Sequence, residues 1–501
     1  MDKYPFLFVV WLGTAFSPAL CQLSVSTIFS DHMVLQRHQP VKIWGKGIPE
    51  LKVKVKFLGR QYFTTIAKDS SWVITMKPSP YQPTPQQLTI ESAAQLITLS
   101  DILIGDVWFC FGQSNMEFPL ERELYFPVEK NTCGDDLLRI YPTDYPGKNI
   151  YAQIFSSKIL HELAHPPFFK GAWKISDSST LKPMSAVAYY FGSAIRKMTG
   201  IPIGLINVAV GGIPIESLLN PEVLKRKYPL KLRGSWVDND YLPVWVRQRG
   251  IQNIPHATSA PRDSCGPFHP FKPGFVYSSG VSNFFDFPIT GLIFYQGESN
   301  AQEWDRVQEY RHLVQDMVSD YRQQWKQKKL PFYFVQLSSI DTVNYLSNFW
   351  PEFRVEQQKI MAEIPHSGMA VSLDAGEQHN VHPANKKIIG ERLARWALKD
   401  YYHYKIMASG PQPKMAVFRA DHVIIKFKKQ SGGLSTQDNL PVKGFTDEHF
   451  HPLQGTIKAN IILLPVNEKP RFLFYGWQPY YQGNLINRDS LPVSTFKMRV
   501  R

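Results

Sequence analysis

Val107-Trp108-Phe109-Cys110-Phe111 is an unbroken apolar run, and Gly112-Gln113-Ser114-Asn115-Met116-Glu117 follows it directly. A short continuous apolar run bounded by glycine reads as a strand buried on both faces, the kind found in parallel sheets. The glycine then permits a sharp turn that sets a hydroxyl at the strand's carboxyl end. Two readings of Ser114 are open from this stretch alone. It is the cap of a following helix, or a nucleophile on a tight turn where a helix N-terminus favours negative charge near its Oγ.

The same pattern recurs outward. Apolar runs at 204–210, 291–295, 332–337 and 369–373 alternate with amphipathic segments. Val307, Tyr310, Leu313, Val314, Met317, Val318, Tyr321 and Trp325 recur at helical spacing and mark one face of a long helix; 185–198 and 386–397 behave alike. This alternation predicts an α/β fold: a parallel sheet with helices on both faces, spanning 104–405. Residues 22–103 read instead as a β-sandwich segment, with period-two runs at Val41-Lys42-Ile43-Trp44, Val53-Lys54-Val55-Lys56-Phe57 and Trp72-Val73-Ile74-Thr75-Met76. Residues 406–501 return to β character, with strands expected at Met415-Ala416-Val417-Phe418, 422–427, 457–464 and Phe472-Leu473-Phe474. Segment 221–275, rich in Pro, Lys, Arg and aromatics without periodicity, reads as an insertion of the sort that covers active sites.

Composition narrows the class. Of 501 residues 44% are hydrophobic and 20% charged, which excludes a disordered or collagen-like chain. The 56 Lys+Arg against 42 Asp+Glu leave +14, a balance compatible with nucleic acid, an anionic membrane surface or an acidic small substrate. No nucleic-acid-binding module is recognisable, so nucleic acid is not an expected partner. Residues 1–21 carry a signal-peptide pattern: Lys3, an apolar stretch over 6–16, then Pro18-Ala19-Leu20-Cys21, with cleavage expected before Gln22. No other run approaches a membrane helix, so no membrane anchor is expected. The expected location is periplasmic or extracellular, because no Asn-x-Ser/Thr acceptor occurs; for a eukaryotic chain the alternative is a lysosomal or secretory route. Cys110, Cys133 and Cys265 are too few for a disulfide scaffold, although Cys133 and Cys265 both sit in Gly-containing loops where pairing is open.

Three further motifs sit where ligands bind in open α/β sheets, beyond the strands' carboxyl ends. Gly211-Gly212-Ile213-Pro214-Ile215-Glu216-Ser217 pairs two glycines, which suits a backbone oxyanion donor or a plain strand-to-helix turn. In Tyr295-Gln296-Gly297-Glu298-Ser299-Asn300, Gln296 or Asn300 offers a side-chain N–H to an oxyanion and Glu298 can hold neighbouring loops; the plainer reading is a capped helix start. The run Asp374-Ala375-Gly376-Glu377-Gln378-His379-Asn380-Val381-His382-Pro383 supplies a base for a serine, with an acid to orient it. A metal held by His379, His382, Asp374 and Glu377 lacks the spacing of a zinc hydrolase, so neither metal nor cofactor is expected.

Taken together, Gly112 to Glu117, Gly211 to Ser217, Tyr295 to Asn300 and Asp374 through His382-Pro383-Ala384-Asn385-Lys386 resemble the sialate O-acetylesterases, carbohydrate esterases of the SGNH-hydrolase superfamily. Ile28-Phe29-Ser30-Asp31-His32-Met33-Val34-Leu35-Gln36 and Gly476-Trp477-Gln478-Pro479 extend the resemblance to nearly the whole chain. It implies a serine esterase that removes O-acetyl groups from free or glycan-linked sialic acids through an acyl-enzyme. Ser114 then corresponds to the nucleophile and His382 to the general base, while Gln296 and Gly212 with the Ser114 N–H form the oxyanion hole. Asp374 stands in the place of the acid, Glu377 is its alternative, and a dyad with no carboxylate is a third arrangement; Glu298 and Asn300 are supporting residues. Rival readings are an O-acetylesterase for another carbohydrate, such as acetylated xylan, and a glycan-binding protein with an inert core.

Overall fold

The computed structural model describes residues 22–165, 167–254, 260–343, 345–428 and 432–501; the expected signal peptide lies outside them. β1 (Gln95–Gly112) is the spine of the molecule. Its first half pairs antiparallel with Gln82–Ser92 and parallel with Val34–Gln36, inside the N-terminal β segment. Its second half is the centre of a parallel sheet with β2 (Asp135–Asp144), β3 (Ile203–Ala209), β4 (Gly291–Tyr295), β5 (Phe332–Val335) and β6 (Ser367–Ala370), in the order β2-β3-β1-β4-β5-β6. One strand therefore carries the chain straight through residue 103, the expected boundary.

Adjacent residues of a strand point to opposite faces, and β1 uses this to recruit helices to both. Trp108 meets Phe191 of α2 (Ala186–Thr199) edge to face at 5.0 Å. Its neighbour Phe109 meets Trp325, at the C-cap of α4 (Trp304–Gln324), at 5.4 Å, and Phe111 meets Tyr321 of the same helix at 5.5 Å. α2 packs on α6 (Lys387–Asp400), where a Cβ on Gly390 would lie 2.7 Å from the Val187 carbonyl oxygen; only glycine lets the two backbones approach so closely. The chain thus has a mixed α/β architecture. Among the described residues no helix is long and apolar enough to cross a membrane.

Several expectations need correction. The run 457–464 is a hairpin, Pro452–Lys458 and Ile461–Pro465, because Ala459 adopts a left-handed φ of 53° and reverses the chain. The run 369–373 ends as a strand at Ala370 and continues as a 3₁₀ turn over Leu373–Ala375. Segment 221–275 contains a helix, α3 (Val244–Asn253), that its sequence periodicity conceals, and α5 (Trp350–Glu363) lies in a stretch with no expected element. Cys133 and Cys265 do not pair; both are free thiols, each donating to a backbone carbonyl, Lys130 and Leu232 respectively.

The base of the sheet is tied by one buried carboxylate. Asp106, fully buried on β1, accepts from Arg37 Nε at 2.8 Å, Gln36 Nε2 at 3.2 Å, Thr290 Oγ1 at 3.2 Å and Tyr402 Oη at 2.9 Å. Removing one partner of a buried ion pair typically costs about 3–5 kcal/mol, since the other charge is left uncompensated. Arg37→Ala, which leaves the fully buried carboxylate without its cation, should therefore lower the denaturation midpoint by a loss of that size, and Asp106→Ala, which strands Arg37 and three polar partners, by a comparable one. Small shifts of both variants in chemical denaturation would refute this account.

Candidate active site

The strand order reverses around β1, so the carboxyl ends of β1, β3 and β4 open the crevice in which doubly wound sheets bind ligands. Gly112, with φ 144°, makes the first turn possible: a Cβ there would sit 2.1 Å from the Tyr295 carbonyl oxygen. α1 (Ser114–Glu117) starts immediately after it, with Gln113 as N-cap making no side-chain cap bond. Ser114 is thus the first helical residue, which removes the capping reading. Its Oγ lies 2.8 Å from His382 Nε2, joining residues 268 apart in sequence.

The turns after β1, β3 and β4 are bolted together by buried amides. Gln113 Oε1 accepts from Gln296 Nε2 at 3.1 Å and from the Gly297 and Ser299 N–H groups at 3.2 and 3.4 Å. Gln296 Nε2 also faces the Ile213 carbonyl at 3.2 Å and Asn300 Oδ1 at 2.9 Å, while Tyr310 Oη donates to Gln296 Oε1 at 2.9 Å. Ser299 Oγ donates to the Gly212 carbonyl at 2.9 Å, and Asn300 Oδ1 accepts from the Ile215 N–H at 3.0 Å. Asn300 Nδ2 reaches Glu216, which Lys231 pairs at 2.9 Å.

This arrangement corrects the oxyanion assignment of Gln296. An amide has two N–H donors, and those of Gln296 face three internal acceptors, so the side chain is a brace between turns. Asn300 is committed in the same way. The backbone N–H groups of Ser114 and Gly212 are among the donors left without an intramolecular acceptor in the described residues. Gly212 holds its turn with φ 78°, and a Cβ there would come within 2.7 Å of Trp245. The Gly211 N–H is taken by Glu117, whose carboxyl is pushed up by burial and also accepts from Tyr145 Oη at 2.7 Å.

Neither expected acid reaches the base. Asp374 forms a two-pronged pair with Arg392, Oδ1 to Nη1 at 2.6 Å and Oδ2 to Nη2 at 2.7 Å, which fastens the end of β6 to α6. Glu377 accepts from the Ala384 N–H at 2.6 Å and from Asn380 Nδ2 at 3.0 Å, and so shapes the loop that carries His382. His379 turns away to Asp341 at 2.7 Å. The four residues of the metal reading are thus dispersed. Ser114 and His382 form a dyad.

Burial pulls the His382 imidazole down to about 4, helped by the positive charges of Lys386 and Arg122. Lys386 is fully buried, and burial lowers its ammonium to about 7 against the attraction of Glu298, Glu377 and Glu123. Its Nζ donates to Asn115 Oδ1 at 2.5 Å, and Asn115 Nδ2 in turn donates to Glu298 Oε1 and, at 3.0 Å, to the Val381 carbonyl next to His382. A buried cation and a buried carboxylate are therefore joined through the amide of the residue after Ser114. Nothing in the sequence singles out Asn115 or Lys386, although both stand inside the quoted motifs. Only the fold reveals that their side chains meet.

The chain is similar to known carbohydrate esterases. Residues 277–399, which include the third turn and His382, match the family described as carbohydrate esterase, sialic acid-specific acetylesterase. The sialate O-acetylesterase of Mus musculus is 26% identical over 88% of this chain and 86% of its own length. That of Homo sapiens is 26% identical over 78% of this chain and 73% of its own. Among solved structures, a carbohydrate acetylesterase from Xanthomonas citri superposes with a TM-score of 0.76 at 27% identity, covering 95% of this chain and 99% of that one.

The dyad makes the pH profile and the role of Asp374 testable. The base works only when neutral, so kcat/KM should hold to mildly acidic pH and fall as pH drops through about 4, where His382 takes a proton. Lys386→Met should move that acid limb upward, because a like charge facing the imidazole is gone; a wild-type limb near 6.5 would sink the idea. Asp374→Asn should lower stability through the loss of Arg392 pairing and change kcat by less than about tenfold, against the roughly 10⁴-fold loss of a true triad aspartate. Over its catalytic core and most of its length, the chain is similar to the sialate O-acetylesterases and to a solved carbohydrate acetylesterase.

Proposed function

We propose that the protein is a serine esterase that removes O-acetyl groups from sialic acids and releases acetate. The observation that carries this reading is the 2.8 Å contact between Ser114 Oγ and His382 Nε2 beside two unengaged backbone donors. Neutral His382 accepts the Ser114 proton as Oγ attacks the acetyl carbonyl, and the developing oxyanion rests on the Ser114 and Gly212 N–H groups. Protonated His382 then gives its proton to the departing sugar oxygen, leaving acetyl-Ser114. Water, deprotonated by the same imidazole, attacks the acyl group; acetate leaves and Ser114 recovers its proton. With no carboxylate paired to the imidazole among the described residues, the work of stabilising charge falls on the fixed backbone donors.

The finer assignments belong to the same proposal. The parallel sheet with its nucleophile turn is of the SGNH-hydrolase type, framed by N-terminal (22–103) and C-terminal (406–501) β segments, and residues 1–21 direct export. A second reading, an esterase for another acetylated carbohydrate, is favoured by the near-complete overlap with the Xanthomonas citri carbohydrate acetylesterase. The test is acetate release from a mixture of O-acetylated sialic acids set against acetylated xylan. Loss of sialate esters, abolished by several orders of magnitude in Ser114→Ala, is the expected result. Release from xylan alone would transfer the protein to the second reading, and full activity of Ser114→Ala would overturn both.

A further inference from the structure

Arg249, on α3, is not used by the chemistry described above. Its guanidinium lies 5.5 Å over the Trp245 ring and 6.0 Å from the Tyr151 ring centre. Its Nη1 is buried and has no hydrogen-bond partner, and no carboxylate pairs with the group among the described residues. Burial lowers its affinity for its proton, and the only counter-influence is the Tyr151 phenol. One nitrogen of this guanidinium is thus buried with no acceptor, an arrangement that a protein tolerates at a ligand site and has little reason to keep elsewhere.

The two rings that cradle Arg249 also touch the glycine turn of the oxyanion site. A Cβ on Gly212 would meet Trp245 at 2.7 Å, and one on Gly211 would meet the Tyr151 hydroxyl at 3.2 Å. Arg249 is thus one aromatic ring removed from the N–H that faces the acetyl oxygen. Tyr151 is 53% exposed, a free surface beside the crevice on which a sugar ring can lie. Arg122 adds a second cation. It is exposed, rests 5.2 Å over Phe118, has no ion-pair partner among the described residues, and its charge is felt by both His382 and Tyr151.

We infer that Arg249, supported by the charge of Arg122, is the subsite that binds the carboxylate of the sialic acid while its O-acetyl group sits at Ser114. The inference rests on the sialate reading above and adds to it the residues that distinguish an anionic sugar from a neutral one. The chemistry fits a carboxylate closely. A planar guanidinium beside two aromatic rings presents a fork of donors, which a carboxylate meets with two parallel hydrogen bonds and a neutral hydroxyl cannot match. A neutral acetylated sugar would leave the guanidinium unpaired.

The test compares an O-acetylated sialic acid, the same sugar as its carboxyl methyl ester, and an acetylated xylose, on wild-type protein, Arg249→Met, Arg122→Met and Lys68→Met. Lys68 is an exposed turn lysine of the N-terminal segment and controls for one unit of net charge. Wild type is expected to lose about 10- to 100-fold in kcat/KM when the carboxylate is esterified, the size of a charge-assisted hydrogen bond. Arg249→Met should lose a similar factor on the acid, chiefly in KM, and should no longer distinguish acid from methyl ester. Arg122→Met should lose less, by a factor that shrinks at high salt, and Lys68→Met should retain the wild-type preference. Wild type that cleaves acid and methyl ester equally would overturn the subsite and leave the sialate activity standing. An Arg249→Met protein that keeps the preference for the acid would overturn the subsite in the same way. Wild type that cleaves acetylated xylose and neither sialate would overturn the activity together with the subsite. The methyl-ester comparison on wild type decides the matter even if Arg249→Met does not fold.

Discussion

The acceptor oxygen of Gln113 is the point on which the site depends. One carbonyl, buried at the end of β1, receives hydrogens from Gln296, Gly297 and Ser299, and so fixes the nucleophile turn to the turn after β4. Ser299 and Asn300 then pass the constraint to the turn after β3. Three loops that begin on different strands become one rigid body, and the catalytic precision of Ser114 is inherited from that rigidity. An amide suits the task better than a carboxylate. It satisfies several buried donors with no buried charge, and charge at this point would alter the field at the nucleophile.

Charge enters the site at one remove. Glu298 and Lys386 are both buried, yet they do not touch; Asn115 stands between them and spreads the interaction over two hydrogen bonds. Separation leaves part of the positive field of Lys386 uncancelled, and His382 feels it. A triad aspartate would do the reverse, since it raises the imidazole's affinity for a proton. The dyad and the buried lysine act in the same direction. Both keep the base neutral under acidic conditions, at some expense in its strength as a base.

Much of the fold is legible in the sequence because the parallel core writes itself plainly. Val107 to Phe111 is apolar without interruption, since both faces are covered, and the helix of Val307 to Trp325 repeats at 3.6. The turns that place Ser114 and Gly212 are readable because glycine is demanded by geometry at each. The failures have physical causes as definite as the successes. Nothing in Ile457 to Leu464 marks a reversal, because an Ala-Asn pair makes the turn and tertiary pairing overrides the local preference. Gln296 looks like a donor aimed at substrate, but its amide is consumed by partners from two other strands, which no local pattern announces. Asp374 has the right chemistry and position in the chain for a triad acid. Arg392, eighteen residues on, takes both of its oxygens, and a bidentate guanidinium is a stronger competitor than an imidazole edge.

The net charge of +14 acquires a structural meaning through the same residues. Arg122 and Lys386 depress the proton affinity of His382, and neither Arg122 nor Arg249 has an ion-pair partner among the described residues. Positive potential at the mouth has two effects that reinforce each other. It concentrates an anionic sugar near Ser114, and it holds the base in the form able to act on it. Once a carboxylate is bound, part of that potential is neutralised and the imidazole regains affinity for a proton at the moment it must take one from Ser114. On that proposal, binding and base strength are linked through the field. On the proposed subsite, the substrate's own negative charge does part of what a triad aspartate does elsewhere.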